Sequence, residues 1–183
     1  DSTPLEIFNQ KKPYLNPVIY HLQAGCVSQR RSAFILKINR KTVVRKFLLM
    51  GRKAEAILPL LNQFFPNMNS IEFDDLETFE HTKCKPLSVT LAVEHKSRWI
   101  IGFRVSSMNA NGLLSKIALK KYGKRKENRK EKRKELFSEI KNFIEPNSLI
   151  QSDMNPHYGG DVHDHFPLAE YVTHRSRRAA VVG

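Results

Sequence analysis

The sequence predicts a mixed α/β protein in two parts, a small N-terminal module of three helices and a larger part built on a mixed sheet with helices. Three observations lead to this fold class. Apolar residues recur at helical spacing between residues 16 and 65. After Pro66 the pattern changes to alternation with β-branched and aromatic enrichment. The 183 residues suffice for one ordinary domain plus a small module, and we place the two parts at 1–66 and 67–183.

Three breaks divide the N-terminal part into helices, namely Gly25, the corner at residues 38–39 and Pro59. The first helix is expected over about residues 17–24. The second begins after Ser28, a good N-cap residue, and ends near residue 37. The third begins after Asn39 and continues as a long helix to about residue 63.

The larger part begins with three predicted strands, SIEFDDLETF, LSVTLAVEH and RWIIGFRVSS, which predict an antiparallel meander. A helical region follows at about residues 111–144, then the buried strand SLIQSD, a loop opened by Pro156, Gly159 and Gly160, and a further strand at EYVTH. Three meander strands, a helix and a fourth strand is the order in which ribonuclease-H-like domains begin, although many α+β domains begin in this way.

The chain is strongly basic, with 31 Lys and Arg against 18 Asp and Glu and a formal charge of +13. Such an excess attracts polyanions, so nucleic acid is the leading partner. Ribosome-like or membrane-surface binding would share this balance. No run approaches the ~18 apolar residues of a membrane span, and the first residues lack the apolar core of a signal peptide. We therefore expect no membrane partner.

The cysteine content bears on the cellular environment, and the two chain ends bear on whether the chain has been cut. Cys26 and Cys84 are too few for a disulfide framework and belong to no zinc-ligand motif, which favours a reduced, intracellular environment. The chain begins at Asp1 rather than Met and stops in an apolar run. We expect that both ends have been cut, and that residues 179–182 form an apolar edge that a further helix would cover.

The segment SQRRSAFILKINRKTVVRKF, residues 28–47, has the pattern of two helices joined by a tight turn. Ala33 is small where two helices would cross closely, and Leu36 and Ile38 flank the corner. Lys37 occupies the turn position that often carries Gly, which leaves Asn39 as the residue best able to take a left-handed conformation. The core behind the second helix would be closed by Val43, Val44 and Phe47.

The outer face of this helix pair is basic. The start of the second helix would enter the major groove of DNA, where Arg can bind guanine through two hydrogen bonds and Thr can contact a thymine methyl. The start of the first helix suits phosphates. An ordinary amphipathic hairpin with a solvated basic face would show the same pattern. The candidate DNA-binding residues are Gln29, Arg30, Arg31, Arg40, Lys41, Thr42 and Arg45.

Five carboxylates crowd residues 72–80 of the first predicted strand. Crowded carboxylates repel one another unless cations lie among them, and hard divalent ions prefer oxygen ligands. A further acid, Asp153, ends the later strand. Taken singly, each Asp suits a turn or a helix cap. If the two strands are adjacent, however, aspartates from both can bind one ion.

These segments carry a family resemblance. FDDLETFEH, then KPLSVTLAVEHKSRWIIGFRVS and later IQSDMNPHY resemble the catalytic segments of bacterial insertion-sequence transposases of the DDE class, and residues 28–47 resemble their helix-turn-helix. The resemblance covers most of residues 25–175. It implies a helix-turn-helix module followed by a ribonuclease-H-like domain, in which three acids bind two Mg²⁺ (or Mn²⁺) ions for in-line attack on phosphate.

By this resemblance Asp74 and Asp153 are catalytic acids and metal ligands, and Asp75 stands in the place of a common following acid as a further metal ligand. Strand alternation puts Asp74 and Asp75 on opposite faces but does not choose between them. The third acid is expected on a helix beyond the C-terminus of a truncated domain, so this chain alone is expected to bind DNA but not to complete transposition. Three acids lie too close to the preceding loop and strand to supply it: Asp161, Asp164 and Glu170.

The implied protein is a transposase that cleaves and transfers strands of transposon-end and target DNA. The same resemblance implies a homo-oligomer on double-stranded DNA, in the bacterial cytoplasm and associated with the nucleoid. Two alternatives remain open. One is a ribonuclease-H-like nuclease without strand transfer, and the other is a transposase-derived DNA-binding protein or decayed fragment without catalysis.

Two further groups of residues surround the predicted strands. Residues 116–141 contain twelve Lys or Arg, and we expect the middle, residues 121–134, to project from the core as a DNA clamp or a solvated helix. Four histidines near the C-terminus lack metal-motif spacing, so a phosphate-binding or structural role is expected for His157, His163, His165 and His174.

Overall fold

The computed structural model describes residues 10–65 and 67–175. Within these residues the protein is mixed α/β, with six α-helices and one five-stranded mixed sheet. The described residues form two compact units, divided between Ile57 and Leu58. The apolar run at residues 179–182 lies outside the described residues.

The first unit contains a 3-10 turn at Pro13–Leu15 and three helices, α1 (Asn16–Ala24), α2 (Gln29–Ile35) and α3 (Arg40–Asn62), the last of which continues past residue 57. The Ser28 hydroxyl accepts a hydrogen bond from the Arg31 N–H (3.3 Å) at the start of α2. Asn39 Oδ1 accepts one from the Lys41 N–H (2.8 Å) at the start of α3. Both predicted helix starts are confirmed.

The turn between α2 and α3 differs from the prediction. The left-handed residue is Lys37, with φ of 50°, and Asn39 is not among the positive-φ residues. The reason is the way α2 ends: the N–H groups of Lys37 and Ile38 donate to the carbonyls of Phe34 (3.2 Å) and Ala33 (3.1 Å). These paired bonds close a helix only when the residue after the C-cap is left-handed, and that residue is Lys37.

The core of the first unit centres on Ile19, Ala33 and Val43, which are buried. The small residue predicted at the helix crossing is therefore in the core. Phe47 was expected to close this core, and that expectation is wrong, because its side chain is 41% exposed. Lys46, on the same helix, is buried instead and donates from Nζ to Asn16 Oδ1 (2.8 Å).

The second unit is built on the sheet. Its elements are β1 (Met68–Phe79), β2 (Pro86–Glu94), β3 (Ile100–Ser107), α4 (Leu114–Tyr122), α5 (Arg129–Ile140), β4 (Ile144–Asp153), α6 (Tyr158–His165) and β5 (Glu170–His174), with a 3-10 turn at Lys141–Phe143. The strand order is β3-β2-β1-β4-β5. The first three strands are antiparallel, whereas β4 is parallel to β1 and β5 is parallel to β4. The predicted meander and both later strands are confirmed.

Helices α5 and α6 cover one face of the sheet. Phe73, from β1, lies on this face with its ring centroid 5.1 Å from that of Phe137 and 5.0 Å from that of Tyr158. Helix α5 approaches β3 so closely that a Cβ atom at Gly102 would lie 2.7 Å from the side chain of Leu136. A larger residue at this position would therefore force the side chains of Leu136 and Ile140 to move.

Two expectations for this unit are wrong. Residues 158–165 form α6 rather than a loop, because Tyr158 and Val162, one helical turn apart, are both buried in the core. The segment 121–134 does not project as a whole, because Arg133 is only 3% exposed. Among the described residues, no helix combines the length and apolar character needed to cross a membrane.

Candidate functional site

Asp74 and Asp153 lie on adjacent strands of the sheet, Asp74 within β1 and Asp153 as the last residue of β4. The parallel strands β1 and β4 pair in register at Ile71–Ile150 and Glu72–Gln151. Two residues beyond Glu72 and Gln151, each strand reaches its aspartate. Because side chains alternate between faces, Asp74 shares the face of Glu72 and Asp153 shares the face of Gln151. The predicted acid pair required the two strands to be adjacent, and they are.

Negative charge accumulates around this acid pair. Partial burial raises the pKa of Asp74, and the negative charges of Asp153, Asp75 and Glu72 raise it further, against the effect of a hydrogen bond from the Asp75 N–H (2.7 Å). Asp153 Oδ1 accepts a hydrogen bond from the Asn155 N–H (3.1 Å). Neither Asp74 nor Asp153 forms an ion pair with a basic side chain in the described part of the chain.

The acid pair fits a hard divalent cation. Mg²⁺ prefers oxygen ligands and commonly binds through one or two carboxylates together with water and substrate phosphates. A cation between the carboxylates would also relieve the repulsion that raises the pKa of Asp74. Across residues 10–65 and 67–175, no group of three or more His, Cys, Asp or Glu side chains could hold a metal ion. The candidate site therefore consists of two aspartates.

Asp75 points to the opposite face of β1, and its side chain is 11% exposed. The hydroxyl of Thr90, its partner on β2, donates a hydrogen bond to Asp75 Oδ1. Arg133 Nη1 lies 3.8 Å from Asp75 Oδ2. Burial raises the pKa of the Tyr158 phenol, and the charge of Asp75 and a hydrogen bond with it raise that pKa further. Asp75 is thus engaged within the protein, and its role as a metal ligand stays a prediction.

Arg133 is the centre of a buried network that joins β1, α5 and α6. Its Nε and Nη2 donate to Asp161 Oδ2 (2.9 and 2.5 Å), and Nη2 also reaches the His157 carbonyl oxygen (3.3 Å). Its guanidinium carbon lies 4.9 Å from the ring centroid of Tyr158. Asp161 is 2% exposed. We call Arg133, Asp161, Asp75 and Tyr158 the arginine network.

The sequence interpretation missed this network. It placed Arg133 in a projecting segment and considered Asp161 only as a possible third acid. One local signal could have indicated it: Asp161 lies between the apolar residues Tyr158 and Val162, which are spaced as on a buried helix face.

A cleft of about 240 Å³ opens beside the arginine network. It adjoins the acid pair through Asn155, whose N–H binds Asp153, and through Asp75, the neighbour of Asp74. Three of its lining side chains are cationic and two are acidic. The lining residues are Asp75, Glu127, Arg129, Lys130, Arg133, Asn155 and His157.

The four histidines have different surroundings. His165 Nδ1 lies 2.8 Å from the Asp161 carbonyl oxygen. His174, which pairs with Asp153 in the register of β4 and β5, has Nε2 2.8 Å from Gln151 Oε1. His163 is exposed on α6, and His157 lines the cleft.

The candidate DNA-binding residues occupy the starts of two helices in the first unit. Gln29, Arg30 and Arg31 form the first turn of α2, and the other four lie in the first two turns of α3. Arg31 is positioned over the ring of Phe34, 5.3 Å from its centroid. The exposed members are Arg30, Arg31, Arg40, Lys41 and Arg45, whereas Gln29 and Thr42 are half-buried.

A scan of the sequence against models of protein families finds no match, and a search of curated proteins finds none with significant similarity.

Proposed function

We propose that the chain is a DNA-processing protein of the DDE transposase class. In this proposal the first unit binds duplex DNA through a helix-turn-helix formed by α2 and α3. The second unit is a ribonuclease-H-like domain that cuts and joins phosphodiester bonds with Mg²⁺ or Mn²⁺. The observation that carries the proposal is the proximity of Asp74, within β1, to Asp153, the last residue of the adjacent parallel strand β4.

Two further observations support it. Three antiparallel strands, then helices and a fourth strand parallel to the first, match the order in which ribonuclease-H-like domains begin. The +13 charge suits a polyanionic partner, and the exposed cations at the starts of α2 and α3 suit DNA contact.

The chain's own residues have distinct tasks in this scheme. Asp74 and Asp153 supply the carboxylate oxygens that hold the cation. When bound, a divalent ion activates the attacking oxygen and stabilises charge on the phosphate. Arg133 and Tyr158 contact Asp75 and thereby anchor the part of β1 that carries Asp74 to α5 and α6. Buried residues of the second unit therefore hold the strand that carries Asp74 in place.

Incubation of the full chain with labelled duplex DNA and Mn²⁺ tests the proposal. We expect metal-dependent cleavage that Asp74→Asn and Asp153→Asn each abolish. The matched control is Asp164→Asn, because Asp164 is exposed and paired with Lys134. If the control abolishes cleavage and the two active-site variants do not, the acid pair is not the site.

The alternatives predict other results. Cleavage without preference for any terminal sequence and without strand joining would favour a ribonuclease-H-like nuclease. Specific DNA binding without cleavage in either metal would favour a DNA-binding protein without catalysis. A homo-oligomer on DNA and association with the nucleoid belong to the same proposal and are checked by sizing the protein–DNA complex and by locating the protein in cells.

A further inference from the structure

We infer that the cleft beside the arginine network binds one phosphate group of the nucleic-acid backbone, next to the strand held at the acid pair. The inference rests on the DNA-binding part of the proposed function. It assigns a binding role to Lys130, Asn155 and His157, none of which belongs to the predicted helix-turn-helix or to the acid pair.

Hydrogen-bond donors without partners converge on this cleft. In the part of the chain that the structure describes, Lys130 Nζ has no hydrogen bond or ion pair, and neither does the ring of His157. Asn155 uses its side-chain oxygen to accept the His157 N–H (3.1 Å), which leaves the amide NH₂ free to donate. An ammonium group, an amide and an imidazole together suit phosphate oxygens.

Both acids of the cleft have hydrogen-bond partners within the protein. Glu127 accepts hydrogen bonds from Arg129, which lower its pKa, so its negative charge is matched locally. Asp75 is bound by Thr90 and Tyr158 and lies beside Arg133. Lys130 lowers the pKa of the exposed Asp164 by its charge but forms no ion pair within 4.0 Å among the described residues, so its ammonium group can still bind an anion in the cleft.

The size and lining of the cleft favour binding of the nucleic-acid backbone over binding of a base. Its volume of about 240 Å³ is below the ~300–1,000 Å³ of sites for drug-sized ligands. The described lining contains no Phe, Tyr or Trp on which a base could stack. A single phosphate with part of its sugar suits this space.

The test measures the salt dependence of DNA binding by the full chain in an Asp74→Asn, Asp153→Asn background, which prevents cleavage. Lys130→Gln is expected to lower the slope of log Kobs against log salt by about 0.9, the effect of one lost phosphate contact. Lys132→Gln is the matched control, because Lys132 lies two residues further along α5 and is bound by Glu135 (2.7 Å). It should leave the slope unchanged.

Equal slopes for the Lys130 and Lys132 variants would overturn the inference. A parallel titration with inorganic phosphate distinguishes the source of the ligand. If Lys130→Gln weakens phosphate binding but leaves the DNA slope at the control value, the cleft takes free phosphate and the inference fails. Cleavage is not measured here, so failure of the proposed catalysis, which the cleavage assay with Mn²⁺ detects, is distinguishable from failure of this inference.

Discussion

The two neighbouring aspartates on β1 are in opposite electrostatic situations. Asp75 faces the buried arginine network, where each charge has an opposite charge or a hydrogen-bond donor close by. Asp74 faces Asp153 without a basic partner among the described residues, and the repulsion contributes to its raised pKa. One position along β1 thus separates a carboxylate with partners inside the protein from one without an ion-pair partner among the described residues.

The largest expected effect comes from removing the centre of the arginine network. Arg133→Met should lower the free energy of unfolding by about 3–5 kcal/mol, because it leaves Asp161 buried without a counter-charge. Denaturant unfolding followed by the fluorescence of Trp99, the only tryptophan, reports on this second unit. The double variant Arg133→Met, Asp161→Leu should recover part of the loss. If Arg133→Met lowers the free energy of unfolding by less than an average surface substitution does, the arginine network does not stabilise the fold.

The next effect concerns metal binding at the acid pair. Mn²⁺ at a hundredfold above its Kd should raise the free energy of unfolding by about 2.7 kcal/mol, since the ion binds only the folded protein. Asp74→Asn combined with Asp153→Asn should abolish this gain, and chelation should reverse it in the wild-type chain. The gain should persist in Asp164→Asn, whose carboxylate is exposed and away from the pair.

A third prediction compares the signs of two single substitutions in metal-free protein. Asp74→Asn should stabilise the second unit by ~1 kcal/mol or less, because it removes repulsion between carboxylates on adjacent strands. Asp75→Asn should destabilise it, because Asp75 accepts a hydrogen bond from Thr90 and lies beside Arg133. Thermal unfolding of both variants tests this prediction. If the two substitutions shift the unfolding temperature in the same direction, the two aspartates do not differ in the expected way.

The smallest effect is expected at the exposed rim of the network. Lys134 lies 3.1 Å from Asp164 Oδ2 and 3.8 Å from Asp161 Oδ1, and its side chain is 39% exposed. Lys134→Ala should lower the free energy of unfolding by only ~0.5 kcal/mol, because solvent screens such a pair. High salt should reduce the difference further, whereas it should hardly change the effect of Arg133→Met.

Local patterns predicted the strands and the opposite faces of Asp74 and Asp75. Alternation along β1 assigned Asp74 and Asp75 to opposite faces, and their contacts agree, because Asp75 meets Thr90 and Arg133 beside Phe73. The start of α3 after Asn39 also followed from its capping chemistry. These features depend on neighbours within a few residues, which a sequence displays directly.

The features that escaped prediction depend on tertiary contacts or on turn geometry. Arg133 and Asp161 are 28 positions apart, and both residue types are ordinarily exposed unless paired. Gly159 and Gly160 weaken a helix by ~1 kcal/mol each, yet α6 forms because Tyr158 is buried against Phe73.

The parallel pairing of β1 with β4 sets the order in which this protein can assemble. Strands β1, β2 and β3 are joined by short connections and can pair early, because their loops close at small entropic cost. Strand β4 follows only after α4 and α5, so Asp153 reaches Asp74 by closing a far longer loop. During synthesis the meander therefore precedes the acid pair, and one edge of β1 stays open to pairing with another strand until β4 arrives.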